Sequence, residues 1–242
     1  MTNVHSRRHF LKAGLVLVPT VTVAAHHVLA PPAKGAASDN PGAADGSAYA
    51  PRFFTDAEWA FVQAATAQLI PEDDLGPSAA DLGVPEFIDR QMETPYAEGA
   101  LWYMHGPFLP DLGPELGYQQ RFTPRDIYRL GIKGCDDWCL KTYGKRYPQL
   151  DPSLQVVVLK RLDENSVPMD GVGGALFFAQ LLTNTKEGFF ADPQYGGNVG
   201  MAGWKMLGFP GAQADFMDWI DHPNTPYPLG PVAIGGQRGE GR

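Results

Sequence analysis

The sequence predicts a mainly α-helical single domain with long, ordered, Gly/Pro-rich loops, preceded by a signal peptide and a flexible tether. Three observations lead there. Apolar residues recur at helical spacing behind recognisable N-caps, the pattern of amphipathic helices. No apolar/polar alternation runs long enough to demand a sheet. The chain also holds 22 prolines and 28 glycines in 242 residues, which break it into many short elements joined by structured loops.

The first element is residues 1–30. Ser6-Arg7-Arg8-His9-Phe10-Leu11-Lys12 followed by an apolar run from Ala13 to Ala25 reads as a twin-arginine export signal, with Arg7, Arg8, Phe10 and Leu11 as its pattern residues. A membrane span needs about 20 apolar residues, whereas this run is interrupted by Pro19-Thr20 and closed by His26-His27. Val28-Leu29-Ala30 offers a small-residue cleavage site, and a cleaved and a retained signal are both open. Residues 31–50, rich in Ala, Gly, Ser, Asp and Pro, read as a flexible linker.

The folded domain is expected over 51–230, with 231–242 as a flexible tail. Thr55 followed by Glu58 forms a capping box, with Phe54 placed to staple onto Trp59, so a helix starts at Asp56 and ends at Ile70-Pro71. Its apolar stripe is Trp59, Val62, Ala65 and Leu69. Pro85 opens a short helix carrying Phe87, Ile88 and Met92. Thr123-Pro124 starts a third that reaches about Tyr143, with Ile127, Leu130, Gly131, Gly134, Cys135, Trp138 and Cys139 on one stripe; its glycines predict close approach of another helix. Asp151-Pro152 starts a fourth through Leu154, Val157, Val158 and Leu162, and a fifth spans about Gly174 to Thr185 with Phe177, Phe178, Leu181 and Leu182 inward.

Charge excludes some partners. The chain carries 19 basic and 27 acidic residues, a net charge of −8. Loss of Arg7, Arg8 and Lys12 with the signal leaves 16 basic residues, so the mature chain carries −11. Such a chain lacks the basic face that nucleic acid demands, and an anionic membrane surface would not attract it.

Several chemistries lack their residues. There is no Cys-x-x-Cys-His stretch for covalent haem. Beyond the signal only His105 and His222 remain, with no zinc spacing and no Gly-x-Ser-x-Gly elbow. Gly171-Val172-Gly173-Gly174 follows no strand and lacks the dinucleotide fingerprint, so it reads as a helix-entry loop. No catalytic, cofactor-binding or metal residue is assigned.

Two features remain open. Cys135 and Cys139 are the only cysteines; an exported pair usually forms a disulfide, yet positions four apart on a helix hold Cβ atoms about 5–6 Å apart, more than the about 3.5–4.5 Å a disulfide needs. They are a distorted intrachain bridge, an intersubunit bridge, or two buried thiols. The stretch Glu187 to Asn198, with Gly203 to Gly211 after it, reads as an irregular loop whose Phe189, Phe190, Tyr195, Trp204 and Phe209 serve as partner-interface anchors or cap the core.

This stretch carries a resemblance. Gly188-Phe189-Phe190-Ala191-Asp192-Pro193, Tyr195-Gly196-Gly197-Asn198 and Trp204 through Gly208-Phe209-Pro210-Gly211, with Phe53-Phe54-Thr55 and Leu69-Ile70-Pro71 upstream, resemble the gluconate 2-dehydrogenase subunit 3 family over about residues 50–220. The resemblance implies the small, non-catalytic subunit of a membrane-associated dehydrogenase oxidising sugars or sugar acids. FAD belongs to a large flavoprotein subunit in that arrangement, and haem c to a multihaem cytochrome c subunit. It further implies that this chain escorts the flavoprotein through the twin-arginine translocase to the periplasm. D-gluconate oxidation is the first expectation; related glucose, fructose, sorbitol and 2-ketogluconate complexes are alternatives. Less favoured are an independent enzyme using Asp136, Asp137 or Glu187 with His105, and a free sugar-binding protein.

Overall fold

The computed structural model describes residues 49–110 and 112–240. The signal residues Arg7, Arg8, Phe10 and Leu11, and the tether up to position 48, lie outside them. A compact unit begins at Ala50. Its helices are α1 (Asp56–Leu69), α2 (Val84–Gln91), α3 (Pro124–Tyr143), α4 (Pro152–Asp163), α5 (Gly174–Phe190) and the short α6 (Ala202–Leu207), joined by 3-10 turns. Among the described residues β pairing is confined to isolated bridges.

The starts follow from local chemistry. Thr55 accepts the amide of Glu58, whose carboxylate accepts the Thr55 amide at 2.9 Å. Thr123 and Asp126 repeat the device at α3. These reciprocal bonds satisfy amides that a helix start otherwise leaves open. Pro85 occupies the second position of α2 rather than the first, because Gly83, at φ 76°, turns the chain one residue earlier. On α4, Val157 faces solvent and Gln155 is buried. The Gln155 amide nitrogen donates to the Tyr147 carbonyl at 3.2 Å, which draws that face of the helix inward.

Helix α5 is the hub, packed against α1, α2, α3, α4 and α6. Gly131 on α3 admits it: a Cβ there would lie 2.3 Å from the Phe177 ring. Around that contact run Phe54, Tyr128, Phe177, Phe61 and Tyr147, with successive ring centroids 5.5, 6.2, 5.8 and 4.6 Å apart. Phe61, absent from the expected stripe, is fully buried. Gly134 faces the side chain of Met169 in the α4–α5 connection instead of another helix.

Two polar devices hold this core in register. Asp89 is fully buried and its carboxylate accepts the amides of Arg52, Phe53 and Phe54 at 2.8, 3.1 and 2.9 Å. That pins the chain entering α1 to α2, each charge-assisted bond being stronger than a neutral one. Asn184 on α5 accepts from the Tyr128 hydroxyl at 3.0 Å and donates to Tyr96 at 3.1 Å. Gln180 donates to the same Tyr96 hydroxyl at 2.6 Å, so the 3-10 turn Pro95–Glu98 is tied to the hub.

Two expectations are corrected. Helix α5 continues past Thr185 to Phe190, so Glu187–Phe190 are helical: Gly188 sits against Phe87 of α2, where a Cβ would come within 2.8 Å of the ring, and that close packing rewards continuing the helix. Residues 231–240, expected as part of a flexible tail, fold back. Val232 bridges both Gly211 and Arg238, and Ala233 is buried with Met201 and Trp204 in a small cluster.

Candidate partner-binding face

Immediately after α5 the chain turns through residues 191–203, stabilised by two polar side chains. Asp192 caps the 3-10 turn Pro193–Tyr195 by accepting the Gln194 amide at 3.1 Å, and its other oxygen accepts the amide of Ile234 at 2.6 Å. Asn198 is fully buried in the left-handed region at φ 51°, which Asn tolerates better than most residues. It donates to the Ala191 carbonyl at 2.9 Å and accepts from the Gly203 amide at 2.8 Å. Gly197 and Gly203 let this turn press on α5, since a Cβ at either would lie 2.2 or 2.3 Å from a carbonyl oxygen of that helix.

The five aromatics expected to face a partner divide accordingly. Phe189 and Trp204 are buried; Trp204 donates its indole N–H to the Phe190 carbonyl at 2.7 Å and receives the edge of Phe209 at 5.2 Å. They pin the turn in place. Phe190 is half-buried. Tyr195 and Phe209 are 49% and 47% exposed and remain available for contact. The motif residues thus build a platform and present only part of it outward.

Next to this platform lies a segment that sequence reasoning passed over. The Ala212 amide donates to the Val232 carbonyl at 2.7 Å, and the Val232 amide to that of Pro210 at 3.1 Å. Residues 212–231 therefore leave and return at one point. The loop has its own aromatic cluster, with Phe216, itself 40% exposed, and the half-buried Trp219 set against Tyr227 at 5.2 and 5.8 Å. Met217 and Ile220 face outward at 73% and 66% exposed.

A second exposed apolar stretch lies at Leu101, Tyr103, Phe108 and Leu109, between the Pro95–Glu98 turn and α3. Its base is held by Trp102 against Tyr118, 4.4 Å between centroids. The Tyr118 hydroxyl donates to the Phe122 carbonyl at 2.5 Å, and desolvation raises its pKa well above the ordinary phenol value.

The polar candidates have structural partners. Asp136 accepts from the Tyr147 amide at 3.0 Å and from Arg146 at 3.2 Å. Desolvation pushes its carboxyl above the usual range, with those two donors pulling the other way. Asp137 pairs with Lys133 on the solvent side of α3, in an open cleft of about 410 Å³ also walled by Trp138, Met169 and Asp170. Glu187 accepts from Asn184 at 2.8 Å, while His105 is exposed beside Tyr103. Gly173 is the N-cap of α5, so the glycine run at 171–174 is a helix entry. Among the described residues no group of three or more His, Cys, Asp or Glu is placed to hold a metal ion.

Cys135 and Cys139 are free thiols, both fully buried on α3. The hydrogen bond with Cys139, and then burial, push the Cys135 thiol well above its ordinary value. The neighbouring Tyr147 hydroxyl is buried without a hydrogen-bond partner. Neither sulfur reaches the surface of this fold, where an intersubunit bridge would form.

A sequence-family profile described as gluconate 2-dehydrogenase subunit 3 matches residues 56–211, well over half of the chain. The chain belongs to the gluconate 2-dehydrogenase subunit 3 family. Comparisons with curated proteins and with solved structures give no match. The matched span opens at the first residue of α1 and closes at Gly211, where Val232 bridges back. A member of this family is an accessory subunit of a dehydrogenase complex.

Proposed function

We propose that this chain is the non-catalytic small subunit of a periplasmic, membrane-associated, FAD-dependent dehydrogenase. Its first assigned reaction is oxidation of D-gluconate to 2-dehydro-D-gluconate. FAD resides in the flavoprotein large subunit and haem c in a cytochrome subunit that carries electrons onward. The small subunit binds the folded flavoprotein in the cytoplasm, stabilises it, and supplies the Arg7-Arg8 signal that takes both through the twin-arginine translocase.

The family match carries this reading. It is supported by the division of labour within the fold. Asp89, Asp136, Asn184 and Asp192 are spent on backbone and core bonds, while large apolar side chains at 101–109 and 207–234 face solvent. Exposed apolar side chains gathered in a few segments are what an interaction surface needs. Replacing Arg7-Arg8 by Lys-Lys tests the export role: periplasmic flavin-enzyme activity should fall, with the flavoprotein retained in the cytoplasm. Unchanged periplasmic activity would refute it.

A further inference from the structure

We propose that the loop 212–231 is a docking element that seats Met217 and Ile220 in an apolar groove rimmed by Lys and Arg on the flavoprotein large subunit. The proposal rests on the accessory-subunit reading above. It concerns a segment outside the 56–211 family match.

The first support is periodicity. Residues 215–222 read Asp-Phe-Met-Asp-Trp-Ile-Asp-His, a repeat of three. The backbone supplies the matching geometry: Met217–Trp219 is a 3-10 turn, with Trp219 donating to Phe216 and His222 donating to Trp219 across three residues. Residues three apart eclipse one another in that conformation. Phe216 and Trp219 both meet the Tyr227 ring at a near-perpendicular angle. Met217 and Ile220 share one edge and face solvent. Asp218 and Asp221 share another, Asp215 stands just ahead of the turn, and all three are exposed.

The second support is preorganisation. The loop is clamped where it leaves the domain by Val232 and beyond that by the Asp192 bond to Ile234. Inside, the Trp219 indole donates to the Thr225 carbonyl at 3.3 Å and the Met217 amide to the Asp215 carboxylate at 3.0 Å. A surface held in its bound shape loses less entropy on association. The ring contacts of Phe216 and Trp219 with Tyr227 account for the loop's order; they leave Met217 and Ile220 at 73% and 66% exposed, apolar surface whose burial is favourable.

Charge selects the partner. The loop 212–231 contains three aspartates and no Lys or Arg, so an apolar groove with a neutral or acidic rim would meet uncompensated charge. A basic rim both steers approach and fixes register. Phe209, on the adjoining platform, is also exposed.

The test is co-expression of the tagged full-length chain with the FAD-binding large subunit, followed by affinity capture and measurement of bound flavin per tagged chain. Three forms are compared: wild type, the double variant Met217→Glu/Ile220→Glu, and the triple variant Asp215→Asn/Asp218→Asn/Asp221→Asn. The double variant should lose at least about tenfold in retained flavoprotein, as central interface side chains do. The triple variant should show lower retention at low salt and a flatter salt dependence. Thermal melts of the isolated chains check folding, and Met217→Ala/Ile220→Ala replaces the double variant if the glutamates lower the melting temperature. Wild-type retention by the double variant, or by its alanine replacement, overturns the docking proposal alone. Failure of the wild-type chain to retain any flavoprotein overturns the accessory-subunit reading and the docking proposal together.

Discussion

The helical core and the 212–231 loop solve opposite problems with the same residue types. In the core, aromatic rings from four parts of the chain meet in edge-on and tilted pairs around Gly131, and every large side chain gains by turning inward. In the loop, Phe216 and Trp219 each meet the Tyr227 ring at a near-perpendicular angle, while Met217 and Ile220 stay outside. Rings in the core generate stability, whereas rings in the loop generate shape. Core substitutions should therefore lower stability and binding together, and loop substitutions should lower binding alone.

The largest expected effect is Asp89→Ala. It leaves three amides of the entry segment without their acceptor, at a cost of about 3–5 kcal/mol, by analogy with breaking buried charged pairs. A urea-unfolding midpoint checks it. Gly131→Ala should follow at about 1–3 kcal/mol, because the new methyl meets the Phe177 ring. A normal melting temperature for this variant would contradict the tight α3–α5 contact.

Smaller effects come from titratable groups. The carboxyl of Asp136 holds its proton more tightly in the folded chain, chiefly through burial. Its contribution to stability is therefore fully present below the ordinary carboxylate range and is lost as pH rises through the raised value. Unfolding free energy measured across mildly acidic pH should show this decline, and Asp136→Asn should flatten it; parallel profiles would contradict it. Cys135 and Cys139 should react with a thiol reagent only after denaturation. Reduction should leave the electrophoretic mobility of the complex unchanged. The smallest effect belongs to Met217→Glu on the melting temperature of the isolated chain, within about 0.5 kcal/mol for an exposed site.

Much of the core was legible because its signals are local. Thr55 with Glu58, Thr123 with Pro124, and Asp151-Pro152 each mark a helix start within a few residues. Gly131 announced a close helix approach by breaking an apolar stripe. What was missed depends on tertiary contacts. Asp89 looks like any solvated helix acid until Arg52–Phe54 fold against it. The end of α5 is set by Gly188 packing on Phe87, which outweighs the low helix propensity of glycine. Phe189 and Trp204 read equally well as anchors or as pins, and only their burial shows that they are pins. The loop did carry a readable signal, the aspartate at every third position from 215 to 221, but 3-10 periodicity is rarely sought because such helices are short.

The central claim is that this fold acts through a flavoprotein partner and not by itself. Deleting the gene for this chain while keeping that for the large subunit, and then assaying FAD-dependent dehydrogenase activity in the periplasmic and membrane fractions, tests it most directly. The account predicts that activity is lost and that the flavoprotein is degraded or retained in the cytoplasm. Normal activity at the membrane without this chain would contradict it.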